Sequence, residues 1–192
     1  MFLLRKIYCR TFQTVFRIAI PFLPYRNPKI IPAVSGITDV CRKYGVESVM
    51  IVTDAGIRAL GLTDFLEKTL KEEGISYCVY DRTVANPTIQ NVEEARKMYL
   101  EHEAQGIIAF GGGSSMDCAK AAGARIVKPR QSIRQMRGLL KVHRRLPLLI
   151  AVPTTAGTGS ETTLAAVITD SEKHYKYPIN DFSLIPRYAV LD

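Results

Sequence analysis

Residues 106–120 read Gly106-Ile-Ile-Ala-Phe-Gly-Gly-Gly-Ser-Ser-Met-Asp-Cys-Ala-Lys120, and the chemistry this order suits is anion binding. A short apolar run is followed by three glycines, two serines and an alanine-rich segment that favours helix. Glycine lets the backbone approach a phosphate closely, and the free amides and dipole of a helix N-terminus point at it. Ser114 and Asp117 have the spacing of a reciprocal helix cap, with Asp where Glu or Gln is usual. The plainer reading is a tight βα turn with no ligand.

Two further stretches could join this one. Pro153-Thr-Thr-Ala-Gly-Thr-Gly-Ser-Glu161 is a second loop of small hydroxyl residues, and Thr53-Asp-Ala-Gly56 carries the carboxylate of Asp54. Asp54 can hold a ribose hydroxyl, or it can serve only its own turn.

The elements that must position these loops follow from the hydrophobic pattern. Strands are expected over Val46–Val52, Ile75–Tyr80, Ile107–Phe110 and Leu146–Val152. Helices are expected over Gly36–Tyr44, Ile57–Glu73 and from Asn86-Pro87-Thr88 to about Ala104, as well as after the three glycines. In the second of these, Leu60, Phe65, Leu66 and Leu70 supply an apolar face. The third turns Val92, Ala95, Met98 and Tyr99 inward. Alternating strands and helices predict an α/β fold, a doubly wound, mostly parallel Rossmann-like sheet. Ligands of such sheets bind beyond the carboxyl ends of the strands. Asp54, the glycine turn and the Pro153–Glu161 loop each follow a strand, so all three are expected on one edge.

Several function classes are excluded or disfavoured. Neither glycine loop carries the GxxxxGK[ST] pattern of a nucleoside triphosphatase. The usual dinucleotide order is also wrong, because the glycines follow the third strand and the acid lies upstream after the first. The same physics works in this order if one strand end takes the adenosine ribose and another the pyrophosphate. The 192 residues include four cysteines without a CxxC pair and three histidines without metal-ligand spacing. That composition fits a reducing, cytoplasmic setting and argues against a zinc cluster or metal site built from this chain alone. A net charge of +8 suggests anionic partners. The acid-free basic stretch Lys128–Arg145 has no aromatic interleaving, so it is read as a solvated helix and loop with no nucleic-acid partner.

Residues 1–29 are a separate basic amphipathic segment, and the main domain is expected over 30–192. Arg10 and Arg17 interrupt the apolar run, which rules against a transmembrane span. A helix docked on the body or a partner subunit is the favoured reading. Contact of residues 1–23 with a membrane surface is the alternative.

Gly111-Gly-Gly-Ser-Ser-Met-Asp-Cys-Ala-Lys120 resembles the GGGSxxDxAK motif of the iron-containing (group III) alcohol dehydrogenases, and Pro153–Glu161 resembles their PTTAGTGSE motif. Val52–Gly56, Asn86–Thr88 and the tail from Lys176 to Asp192 fall in the same order, so the resemblance covers roughly residues 30–192. It implies an NAD(P)-binding domain. Asp54 would bind the adenosine ribose and favour NAD over NADP. Asn86, Gly112, Gly113, Ser114 and Ser115 would surround the pyrophosphate, and Asp117 would fix the turn and cap its helix. Thr154, Thr155, Thr158 and Thr163 would line the cofactor cleft, and Lys176 would reach the nicotinamide ribose. The resemblance further implies hydride transfer between NAD(P) and a small alcohol or aldehyde, or a polyol. Fe²⁺ or another divalent metal would be held by an all-helical domain following these residues, which this chain is expected to lack. Alone it would bind cofactor weakly without catalysis, as a nucleotide-binding or interaction module, and a homo-oligomer is compatible with it.

Overall fold

The computed structural model describes residues 24–191, together with 9–11, 13–14 and 17. The expected N-terminal helix therefore lies largely outside the described residues, as does its docking or membrane contact.

Six parallel strands form the main sheet in the order β1-β9-β6-β4-β2-β3. They are β1 (Lys29–Ile31), β2 (Ser48–Val52), β3 (Ser76–Tyr80), β4 (Gly106–Gly111), β6 (Leu148–Pro153) and β9 (Tyr188–Val190). A second sheet joins β5 (Gly138–Leu139), β8 (Tyr175–Asn180) and β7 (Ala165–Asp170), with β7 and β8 antiparallel.

Strand side chains alternate between faces, and two separate cores result. Met50, Val52, Ile107, Ala109, Leu149 and Ala151 face α4 (Ile89–Glu101) and α5 (Gly113–Val127). Val49, Ile51, Ile108, Phe110, Ile150 and Val152 face α1 (Ile37–Tyr44) and α3 (Asp64–Glu72). Both faces are thus covered, which is why the central strands read as unbroken apolar runs. The small β5-β8-β7 sheet packs its Ala166, Ile168, Tyr177 and Ile179 into the α5 side.

The expected α/β class with a mostly parallel sheet holds, with several corrections to its elements. The helix expected over Ile57–Glu73 is two helices, α2 (Ala55–Ala59) and α3, because the chain turns at Gly61 with a left-handed φ of 66°. Leu66 and Leu70 are fully buried, whereas Leu60 and Phe65 are 74% and 60% exposed. The break rotates Leu60 away from the core and onto the cleft described below. The four expected strands are present within two residues at each end. The five others were not expected: β1, β5 and β9 have at most three residues, and β8 contains Pro178, a residue that disfavours strand in the sequence pattern.

The Lys128–Arg145 stretch is also not a solvated α-helix. A short 3-10 turn (Ile133–Met136) buries Ile133 and Met136, and Val142 is buried as well. Arg134 is anchored on Asp170 through bonds of 2.7 and 3.0 Å. Arg137 stacks over Tyr175 at 5.0 Å. Basic side chains in this stretch are therefore partly committed to the second sheet. Among the described residues, no helix is long and apolar enough to cross a membrane, and all four cysteines are free.

Candidate functional site

β2, β4 and β6 are neighbours in the sheet, so the loops leaving their carboxyl ends are held side by side. Those loops bring Asp54, Gly112, Gly113, Ser114, Ser115, Thr154, Thr155 and Thr158 onto one cleft of about 680 Å³. Ile57, Leu60 and Val84 supply an apolar lip.

The glycine turn is shaped for close approach. Gly111 has a φ of 143°, and a Cβ there would meet Ser115 Oγ at 2.7 Å. A Cβ on Gly112 would lie 3.3 Å from Thr155 Oγ1, and one on Gly113 3.2 Å from Ser160 Oγ. The two loops therefore pack against each other through bare backbone. Gly112 is the N-cap of α5, and no side chain caps the helix. The first amides of this fifteen-residue helix are left to whatever occupies the cleft.

That arrangement corrects the expected cap between Ser114 and Asp117. Ser114 sits inside the first turn rather than at its head, because glycine takes the extended N-cap position. Its Oγ instead accepts a bond from the Asn86 N–H at 3.2 Å. Asp117 Oδ2 accepts from the Val167 N–H of β7 at 3.0 Å. Burial raises the Asp117 pKa, and the Val167 amide and Lys120 oppose that rise.

Asp54 serves its turn and still faces the cleft. Its Oδ1 caps α2 by accepting from Ile57 N–H at 3.0 Å, while Oδ2 lies 3.5 Å from the Ser115 hydroxyl. Both expected roles of this carboxylate are thus geometrically compatible.

Four expected residues do not line the cleft. Asn86 stands at its rim in a left-handed conformation, and Lys176 Nζ donates to Asn86 Oδ1 at 2.7 Å. These two form one unit with Ser114. Thr163 is turned toward the interior, where its carbonyl and hydroxyl accept from Lys120. Asp117 binds β7 as described.

Two residues were not assigned a role from the sequence. Thr83 lines the cleft and is 5% exposed. Its Oγ1 is buried without a hydrogen-bond partner among the described residues, apart from proximity to the weakly interacting Cys118 thiol. Lys120 is fully buried in α5 and donates to Ser160 O, Thr163 O, Thr163 Oγ1 and Ala165 O at 2.7–3.0 Å. Burial pushes its pKa down to about 8, with Asp117 and Glu161 opposing. The readable signal was a lysine flanked by Ala119, Ala121 and Ala122 in the alanine-rich part of the helix.

No group of three or more His, Cys, Asp or Glu side chains capable of holding a metal occurs among the described residues. These residues do not fit a divalent metal site.

Comparison with known proteins gives a consistent pattern. The family described as iron-containing alcohol dehydrogenase matches residues 32–192. The chain is 39% identical over 150 residues to a choline dehydrogenase of Bacillus subtilis (strain 168), covering 77% of this chain and 37% of that protein. It is 32% identical over 160 residues to an NAD-dependent methanol dehydrogenase of Bacillus methanolicus, covering 83% and 42%. Among solved structures it is similar to a 1,3-propanediol oxidoreductase, with a TM-score of 0.81, 30% identity and coverage of 88% and 45%. The chain thus spans about 40% of the length of the curated relatives it matches.

Proposed function

The chain belongs to the iron-containing alcohol dehydrogenase family, and from that premise we propose that residues 30–192 are its nucleotide-binding domain, with NAD held in the cleft at the carboxyl edge of the main sheet. The observation that carries this reading is the convergence of three strand-end loops on one cleft around an uncapped helix N-terminus.

In this reading the free amides of Gly113, Ser114 and Ser115 receive the pyrophosphate, and Gly112 permits its approach. Asp54 Oδ2 accepts from the adenosine ribose and repels a 2′-phosphate, which favours NAD over NADP. Leu60, Ile57 and Val84 cover the apolar face of the adenine. Thr154, Thr155 and Thr158 wall the opposite side. Asn86 and Lys176 close the rim toward the nicotinamide ribose, while Asp117 and Thr163 act from behind the wall.

NAD supplies the hydride chemistry when bound, and this chain's residues bind and orient it. The substrate class is a small alcohol or aldehyde, in keeping with the names of the relatives.

Calorimetric titration of NAD⁺ into the chain tests the reading. Saturable one-site binding that ADP competes away is expected. A folded chain that takes up no NAD⁺ at millimolar concentration contradicts it.

A further inference from the structure

The wall of the cleft formed by Thr154–Leu164 has no core of its own. None of its side chains is fully buried. Its two ends are fixed by backbone bonds, Thr154 N–H to Gly111 O at 3.1 Å and Asp181 N–H to Leu164 O at 3.0 Å. Its interior is held from outside by the Tyr25 hydroxyl, which donates to Thr162 O at 3.0 Å, and from below by Lys120. Lys120 Nζ reaches Ser160 O at 2.7 Å, Thr163 O at 2.8 Å and Thr163 Oγ1 at 3.0 Å, and continues to Ala165 O at 3.0 Å. An ammonium has three donors and no acceptor, which suits a ring of oxygens converging from one loop. Bonds to a charged donor are also stronger than neutral ones.

The position of this loop matters to the cleft. Ser160 and Thr158 lie directly over the glycine turn, where a Cβ on Gly113 would be 3.2 and 3.7 Å from them. Lys120 itself does not line the cleft.

We propose that Lys120 is a positioning residue for the cofactor: its ammonium, planted in α5, fixes the height of the Thr154–Leu164 wall above the glycine turn. The consequence for cofactor affinity rests on the reading of the cleft as an NAD site. The consequence for the loop does not.

Lys120→Met separates positioning from general stability. Methionine keeps a stem of similar length and removes the donors, so the carbonyls of Ser160, Thr163 and Ala165 are left short of a partner, and the thermal melt reads that cost. The measurement is amide hydrogen exchange over residues 154–164 and over β4 and β6, with a thermal melt and an NAD⁺ titration of the same protein.

The expected result is exchange at least about tenfold faster in the loop, unchanged exchange in β4 and β6, and an NAD⁺ Kd raised about tenfold or more. Loop exchange within about twofold of the parent overturns the proposal. So does acceleration spread over the whole sheet, and so does a loosened loop with unaltered Kd. If the parent chain binds no NAD⁺, the functional reading fails and the exchange data alone decide the role of Lys120. If Lys120→Met does not fold, Thr163→Val, which removes one oxygen of the ring, replaces it. Faster exchange confined to 160–163 is then expected, and unchanged exchange overturns the proposal.

Discussion

Asp117 and Lys120 stand one turn apart on α5 and grip the same piece of backbone with opposite polarity. Asp117 Oδ2 accepts from Val167 N–H at 3.0 Å, and Lys120 Nζ donates to Ala165 O at 3.0 Å. The helix whose N-terminus faces the cleft is therefore also the helix that holds β7 and the loop before it. The glycine turn and the cleft wall are thus tied to the same helix. Burial raises the Asp117 pKa and lowers that of Lys120, and each charge opposes the other's shift.

The bare turn gives a first prediction. Gly112→Val places a branched side chain against Thr155, where even a Cβ would be 3.3 Å from its hydroxyl. The fold should persist, because the position has an ordinary φ of −82°. NAD⁺ affinity should fall at least about tenfold, or about 1.4 kcal/mol, measured by calorimetry. Unchanged affinity would mean that the ligand does not approach this turn.

A second prediction contrasts two leucines. Leu66 is fully buried, so Leu66→Ala should cost about 2–5 kcal/mol in urea unfolding. Leu60 is 74% exposed, so Leu60→Ser should change stability by less than about 0.5 kcal/mol. The same change should weaken nucleotide binding, because Leu60 is part of the cleft's apolar lip.

The third concerns acid. Hydrogen bonds from Arg134 hold the Asp170 pKa at about 2, below the ordinary carboxylate value of 3.8. A depressed carboxylate contributes stability that is present above its ordinary value and is lost as pH falls through the folded one. The stability gap between the parent and Arg134→Gln should therefore be constant above about pH 5 and shrink between about pH 4 and 2. Chemical denaturation across that range measures it, and a gap that stays constant down to pH 2 would show that the pair is not linked to folding.

These residues also show what was legible in the chain. The glycine turn, Asp54 and the threonines could be placed on one edge, because strand–loop–helix alternation fixes where strand ends lie. Leu60 could not be placed, because a helical period assumes an unbroken helix and the left-handed turn at Gly61 shifts the phase, whereas Phe65 shares α3 with Leu66 and Leu70 and lies off the face those two bury. The role of Asp117 was misread because capping spacing is local, whereas its partner, Val167, is fifty residues away in a sheet that was not foreseen. The role of Lys120 is non-local in the same way: its alanine neighbours mark it as buried, but its acceptors, three carbonyls and the Thr163 hydroxyl, come from a stretch 40 to 45 residues on.

The central claim is that this cleft holds NAD and that Asp54 reads the ribose. Asp54→Asn is the sharpest probe, because asparagine caps a helix as well as aspartate does and removes only the charge. NAD⁺ and NADP⁺ are titrated calorimetrically into both proteins. The account predicts that the parent prefers NAD⁺ by at least about tenfold and that the variant loses this preference while remaining folded. An equal affinity of the parent for both nucleotides, or a preference that survives in Asp54→Asn, would contradict it.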